Sequence, residues 1–389
     1  MPHGLVFEPA DGDNSYTFID FVYYYGSSLL IDDGNAGKVY DIDFQQRNFS
    51  NLLNVPVRRL VPYLYPPQSV LFFYPFTFFS LSTACYLWQL TNVVAVLFIP
   101  KMLFWSDVIR NRNGIFLITV LLTICFLPWF LNVYYGQVSI FIMLGIWGYY
   151  LLSKNKKYFL AGILVVACAF KPQLFIAPVL YILIINGKKL WLATIVASVA
   201  TIALCSFIFG YEIWWSYVDV IFTASKNVGT DGYLPIMGNV RAFLLFLLGG
   251  NNIGIINYIS TVLWLFSIVI VIFLGNLLKH KNDKTKELGF SIIIVITCVF
   301  SPWLHLHSFM LMVIPIVYFI KYVRIKSVLS YIAAFLNFNL VALLVKGINP
   351  NVNFLFWLPA QFIFIYVLVY QLRKELTNSN DDVTNKQIA

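Results

Sequence analysis

The chemically informative residues begin with a lysine and a proline inside an otherwise apolar stretch, CAFKPQLFIAP, at residues 168–178. A charge at the centre of a membrane-spanning helix costs about 2.5 to 3.5 kcal/mol, and proline removes a backbone hydrogen-bond donor. Lys171 therefore either caps a helix or serves a site. We expect it near the outer membrane interface, at a helix C-terminus, where backbone carbonyls favour a cation.

Seven further polar residues stand out in short motifs that interrupt or end apolar runs. They are Asp20 in FIDFVYYYG, Tyr65 in YLYPPQ, Gln137 in NVYYGQVS, Asn239 and Arg241 in MGNVRAF, and His305 and His307 in SPWLHLHSF. If the chain alternates across a membrane as its charges predict, all of them and Lys171 lie at extracytoplasmic helix ends. Separated segments that converge on one leaflet are typical of a site.

Each of these residues could also have a purely structural role instead of a role in a site. Lys171 could cap a helix and reach the lipid headgroups, and Gln137 could hydrogen-bond a neighbouring helix. Asp20 could be an N-cap or a solvated residue, and Arg241 could bind lipid phosphates without specificity. The two histidines could be interfacial packing residues or metal ligands; we expect no metal, because no carboxylate or cysteine nearby completes a coordination sphere.

The composition is that of a polytopic membrane protein. Of 389 residues, 60% are hydrophobic and 11% are charged, whereas about 25% of the residues of a soluble domain are charged. The net charge is +9, but most Lys and Arg residues lie in short gaps between apolar runs, which indicates topology rather than nucleic-acid binding. The five cysteines lie singly in apolar runs with no CxxC pair, so we expect neither a metal nor another cofactor.

A transmembrane helix needs about 20 apolar residues, with about 17 as a lower limit. We therefore predict an all-α fold with about 11 alternating spans. The candidate spans lie near residues 82–104, 115–131, 135–152, 158–170, 172–186, 190–209, 254–278, 288–303, 306–321, 327–347 and 353–372.

Charge asymmetry orients these spans. The gaps on one side contain most of the basic residues, including Lys154 and Lys284, and are cytoplasmic by the positive-inside rule. The other side receives the break after Lys171 and the loop 210–253. The membrane domain is then 82–372, and residues 373–389 form a cytoplasmic tail.

Residues 1–81 are predicted to form the extracytoplasmic first loop. Its segment 65–79 is apolar but short, opens with two prolines and is broken again at Pro75, which suits an interface or re-entrant helix. An external N-terminus needs a route across the membrane: either a further span is encoded upstream of Met1, which we expect, or the following helix translocates the N-terminus.

Seven motifs in order, DFVYYYG, GKVYD, YLYPPQ, YGQVS, AGILVVACAFKPQL, MGNVRAF and SPWLHLHSF, resemble glycosyltransferase family 87. These are polyprenol-phosphate-mannose-dependent mannosyltransferases of the membrane-embedded GT-C superfamily. The resemblance covers roughly residues 20–310, and its most specific part is GQ followed by AG and KPQL.

The resemblance implies many transmembrane helices, interface helices in the first external loop and a cavity open to the outer leaflet. It implies transfer of a sugar, mannose in the family, from a polyprenyl-phosphate carrier to a hydroxyl of a glycolipid or glycan, with inversion. Asp20 matches the first-loop aspartate proposed as general base, Lys171 the lysine of Lys-Pro, and His307 the histidine after Ser-Pro.

The chemistry suits these residue types. Asp20 and His307 are the candidate catalytic residues, because a carboxylate can take the proton of the acceptor and an imidazole can stabilise a leaving phosphate. The candidate residues for binding the donor phosphate or the substrate are Lys171, Arg241, Gln137, Tyr65, Asn239 and His305. Two features depart from the family: no transmembrane helix precedes Asp20, and Ser308 stands where an acidic residue often follows the histidine.

The main alternative is a membrane transporter or a flippase for lipids or polyprenyl carriers. Such proteins have ionisable residues at mid-membrane and paired, interrupted helices in corresponding halves. Here the charges concentrate at one face and no inverted repeat is evident. A purely structural membrane component would leave the clustered Asp, Lys, Arg and His residues unexplained.

Overall fold

The computed structural model describes residues 19–53, 63–105, 123–124, 126–227, 237–323 and 354–388. These parts are helical, with a single isolated antiparallel bridge between Met237 and His305. The predicted all-α class is confirmed for them. The predicted span 327–347 and most of the span 115–131 lie outside the described residues.

Sixteen helices follow one another along the described chain. The first eight are α1 (Ile19–Leu29), α2 (Ile42–Leu53), α3 (Pro67–Phe73), α4 (Leu81–Val96), α5 (Phe98–Trp105), α6 (Leu127–Tyr135), α7 (Ser139–Lys154) and α8 (Tyr158–Ala167). The others are α9 (Pro172–Asn186), α10 (Lys188–Phe209), α11 (Ile213–Asn227), α12 (Val240–Leu248), α13 (Ile253–Leu278), α14 (Asp283–Phe300), α15 (Val313–Val323) and α16 (Phe354–Ile388). Short 3-10 turns follow α3 at Tyr74–Phe78 and precede α15 at Leu306–Met312.

Among the described helices, α10 and α13 are each long and apolar enough to cross a membrane. The segment Pro67–Phe78 and α4 add a third candidate if they count as one span, although they meet at an angle of 118°. The helices α7, α8 and α9 coincide with predicted spans, but each is shorter than a full crossing. The structure thus supports a membrane protein, while the number of eleven spans and the interface helices stay predictions.

Helix α10 lies on the outside of the bundle. Leu192, Val199 and Phe207 are 65%, 59% and 89% exposed. Such a long apolar face is stable where hydrocarbon replaces water. Helix α14 lies inside, with every residue from Leu288 to Val299 buried.

Helix α7 connects two polar regions at opposite ends of the bundle. At its C-terminus, Lys154 contacts the buried carboxylate of Glu287 on α14 at 2.8 Å, and Lys321 contacts the other oxygen at 2.7 Å. The hydroxyl of Tyr322 donates to the same carboxylate. A buried charge needs such compensation. At 1.5 Å per residue, the other end of α7, at Ser139, lies about 22 Å away, so the two polar regions are well separated along the bundle.

The predicted orientation can be tested with cysteine substitutions. In a protein whose described native cysteines are buried, Glu212→Cys in the turn before α11 should react with a membrane-impermeant maleimide added outside, because it lies in the loop 210–253. His280→Cys, between α13 and α14, should react only after permeabilisation. The protein without either substitution gives the background labelling, and the reverse pattern would invert the side assigned to the site.

Candidate active site

A cavity of about 700 Å³ lies at the end of the bundle opposite to Glu287. Most of its lining is apolar or aromatic, which is typical of a small-molecule site with a few placed polar groups. Seven of the eight predicted site residues line it: Asp20, Tyr65, Gln137, Lys171, Arg241, His305 and His307. The structure thus brings together residues from segments that are far apart in sequence.

Gln137 is positioned by a tight turn between α6 and α7. Gly136 ends α6 in the left-handed region at φ 69°, where glycine carries no steric cost. A β-carbon there would lie 2.7 Å from Cβ of Phe21, so the glycine also lets α1 pack against the turn. The Gln137 N–H donates to the carbonyl of Asn132 at 2.7 Å, and the Trp88 indole N–H donates to that of Gly136 at 2.9 Å.

The Gln137 side chain is the centre of the polar cluster. Its Oε1 accepts from the Lys171 ammonium at 3.0 Å and from the hydroxyls of Tyr24 and Tyr65 at 3.3 Å each. An ammonium has only donors, so the atom facing Lys171 must be the oxygen. The Gln137 side chain also stabilises the ionised carboxylate of Asp20. An ionised carboxylate only accepts, so the amide nitrogen is the end of Gln137 that can stabilise it.

Lys171 occupies the N-terminus of α9, not a helix C-terminus as the sequence predicts. It is the N-cap residue, and Pro172 takes the first helical position, where its missing N–H is not needed. The preceding helix, α8, has already ended at Ala167. Proline disfavours helical backbone in the residue before it, which explains the break. A helix N-terminus does not favour a cation, so helix capping does not account for this lysine.

Asp20 lies in the first turn of α1, where the free backbone amides favour a carboxylate. The described part of α1 has 11 residues. Burial raises the pKa of Asp20 from its ordinary value to about 6, against the opposing effects of the Gln137 amide and of the positive charge of Lys171. Asp20 is therefore mostly ionised at neutral pH, yet basic enough to accept a proton.

His307 is fixed from the other side by the start of α7. Its Nδ1 lies 2.7 Å from the Ser139 hydroxyl. The backbone N–H of Ser139 donates to the side-chain oxygen Oδ1 of Asn132 at 2.7 Å. The side-chain Nδ2 of Asn132 in turn donates to Oδ1 of Asn92 at 2.7 Å. This buried chain of hydrogen bonds fixes the orientation of the His307 ring, because it connects the ring through Ser139 and Asn132 to Asn92 on α4.

Arg241 forms a second cationic centre in the cavity. Its guanidinium carbon lies 3.8 Å above the ring centroid of Trp303, and Nη2 donates to Asn257 at 2.7 Å. Asn239 is the one predicted site residue outside the lining. It caps α12 by accepting from the N–H of Ala242 at 3.1 Å and donates to the carbonyl of Ser301 at 2.7 Å. Asn239 thus positions Arg241 beside Trp303.

The two histidines do not form part of a ligand set among the described residues. Their ring centroids are 5.5 Å apart and their planes nearly perpendicular. The described part of the chain holds no group of three His, Cys, Asp or Glu side chains arranged to bind a metal ion. The absence of a metal requirement stays a prediction.

Several site residues escaped the sequence analysis. Ser139 and Asn257 contact predicted site residues directly. Ser260 and Trp264 line the cavity together with Asn257. In the sequence, these residues could be recognised by the helical spacing of polar residues within an apolar run. Only the tertiary structure shows which face of that helix lines the cavity.

A family model for glycosyltransferase family 87 matches residues 63–302, more than half of the chain. The chain belongs to glycosyltransferase family 87. Family membership makes it a membrane glycosyltransferase, which uses a sugar donor and an acceptor. No curated protein and no solved structure matches the chain at a significant level. The family 87 match includes Tyr65, Gln137 and Lys171, whereas Asp20 and His307 lie outside it.

The environment of Asp20 predicts a measurable titration. A carboxyl group should titrate near pH 6 in the native protein, because burial disfavours its charged form. This titration should be absent from Asp20→Asn, which lacks the carboxyl group. In Lys171→Met its pKa should rise further, since the cation that stabilises the carboxylate is lost. Infrared difference spectroscopy of the protonated carboxyl band measures both values.

The matched control for this titration is Lys189→Met, which removes an exposed lysine at the start of α10. It should leave the pKa of Asp20 unchanged. A carboxyl that titrates near the ordinary value of about 4 would contradict the assigned environment of Asp20, and so would an equal effect of both lysine variants.

Proposed function

We propose that the protein transfers a sugar, mannose by family resemblance, from a polyprenyl-phosphate donor to a hydroxyl of a glycolipid or glycan at the extracytoplasmic face. The observation that carries this proposal is the meeting of Asp20 and Lys171 on the Gln137 side chain inside a largely apolar cavity. A proton acceptor and a cation are thereby held next to each other, as transfer from a phosphate ester requires.

The proposed reaction is a direct displacement with inversion. The acceptor oxygen forms a bond to C1 of the sugar as its proton passes to the Asp20 carboxylate. The bond between C1 and the phosphate oxygen breaks, and its electron pair leaves with the polyprenyl phosphate. A positioned general base contributes about 10² to 10⁴-fold to such a rate.

Cations would stabilise the leaving phosphate, whose negative charge grows in the transition state. Lys171 and Arg241 supply fixed positive charge. Burial, and then the charges of Lys171 and Arg241, lower the pKa of His305 to about 3, so this imidazole is neutral and lies close to both cations. His307, oriented by Ser139, would donate a hydrogen bond to the same phosphate.

The cavity also suits a lipid-linked donor. Ile176, Ile221 and Phe222 belong to its lining, yet they are 41%, 38% and 64% exposed, so the opening between α9 and α11 is apolar. A polyprenyl chain could lie there in contact with bilayer hydrocarbon while its phosphate stays at Lys171 and Arg241.

Substitutions at Asp20 and Lys171 should separate chemistry from donor binding. Asp20→Asn keeps the shape and removes the proton acceptor, so donor affinity should stay the same while turnover falls by about two orders of magnitude or more. Lys171→Ala should weaken both, because the phosphate is charged in the ground and transition states. Lys171→Arg should restore part of the binding, although a guanidinium does not occupy the position of an ammonium.

The measurement is a titration with polyprenyl-phosphate mannose together with single-turnover rates. Asp219→Asn, an exposed carboxylate on α11, and Lys189→Ala serve as charge-matched controls. A nearly normal rate in Asp20→Asn would remove Asp20 as the base. Tight donor binding without turnover in the native protein would favour the transporter or flippase function instead.

A further inference from the structure

Helix α13 carries a polar stripe on an otherwise apolar membrane-spanning helix. Asn257, Ser260, Thr261 and Trp264 have the spacing i, i+3, i+4 and i+7, which places them on one face. All four line the cavity. They lie in the half of α13 next to Arg241, which donates to Asn257 at 2.7 Å. A polar face in this position calls for a partner, because lipid cannot satisfy it.

The serine of this stripe differs from four other serines on the described helices. Ser28, Ser153 and Ser291 each donate to the carbonyl four residues earlier, at 2.8, 2.5 and 2.8 Å. Further along α13, the Ser267 hydroxyl donates to the carbonyl of Trp264 at 2.6 Å. Ser260 is 3% exposed, and its hydroxyl has no hydrogen-bond partner among the described residues. The Ser260 hydroxyl is therefore an unpaired polar group on a residue that lines the cavity.

The indole of Trp264 shows the same property one turn further along. Its Nε1 is buried and has no hydrogen-bond partner in the described part of the chain. An indole N–H is a donor only and is usually bound when buried. Two neighbouring unpaired polar groups on one face, both lining the same cavity, indicate a ligand with several hydrogen-bonding groups.

The chemistry of the stripe selects a neutral ligand. An amide, two hydroxyls and an indole N–H offer both donors and acceptors without charge. Phosphate would instead be bound by Arg241, which contacts the first residue of the stripe. An aromatic surface beside several neutral hydrogen-bonding groups matches a sugar ring, which has apolar faces and hydroxyl edges.

We propose that Ser260 and Trp264, with Asn257 and Thr261, form a saccharide-binding subsite on α13 that holds the hydroxyls of a sugar next to Arg241. The proposal deepens the proposed function and rests on it for the source of the sugar, which is the donor or the acceptor. The subsite itself is testable without turnover.

The first experiment measures binding of soluble sugars to the detergent-solubilised protein. Methyl α-mannopyranoside and methyl α-glucopyranoside are titrated, and saturation-transfer NMR gives the dissociation constant. Ser260→Ala and Trp264→Phe, which remove one polar group each and preserve shape, should each weaken binding of the preferred sugar by about two- to tenfold. The double variant should weaken it by at least about tenfold.

The matched control is Ser267→Ala, on the same helix, whose hydroxyl is already bound to a backbone carbonyl. It should leave the dissociation constant unchanged. The thermal unfolding midpoint of each variant shows whether the bundle stays folded. Absence of sugar binding by the native protein would overturn the subsite, as would equal binding by the native protein, Ser260→Ala and Trp264→Phe.

The second experiment identifies the source of the sugar. If the donor sugar lies on the stripe, the variants should raise KM for polyprenyl-phosphate mannose and leave the affinity for polyprenyl phosphate unchanged. If the acceptor lies there, KM for the acceptor should rise instead. Sugar binding that depends on Ser260 and Trp264 in a protein without transferase activity would support the subsite and contradict the proposed function.

Discussion

The site depends on the hydrogen bonding of one amide group. Gln137 accepts from Lys171, and its amide also stabilises the charged form of Asp20, so this side chain interacts with both opposite charges. A direct ion pair would engage both groups with each other and lower the basicity of the carboxylate further. The intervening amide keeps a base and a cation close together, but leaves both able to contact a substrate.

The surrounding architecture serves to fix this amide. Gly136 allows the turn that presents Gln137, and Trp88 holds the carbonyl of the turn. The chain of hydrogen bonds through Asn92, Asn132 and Ser139 continues to His307. Helix α7 then joins this end of the bundle to the Glu287 ion cluster at the other. Both ends of the membrane domain are therefore held by buried polar groups that specify which helices are neighbours.

Much of the site could be predicted from sequence because strong local signals mark it. The proline after Lys171 predicts a helix break, and the charge alternation predicts that eight polar residues share one side of the membrane, seven of which line the cavity. Other features depend on tertiary contacts: the Ser139 hydroxyl and the His307 ring are 168 positions apart. The prediction that Lys171 lies at a helix C-terminus was wrong, because α8 ends before the lysine and Pro172 starts the next helix. The polar spacing in α13 was visible, but the face that meets the cavity depends on packing.

The central claim is that this cavity transfers a sugar from a polyprenyl-phosphate carrier. The most direct measurement incubates the purified full chain with a panel of polyprenyl-phosphate hexoses and pentoses, an oligosaccharide acceptor and a membrane glycolipid extract, and follows the release of free polyprenyl phosphate. The account predicts release from one sugar class, dependent on acceptor, with a product of inverted anomeric configuration. Release from none of the donors, or a product that retains the donor configuration, would contradict it.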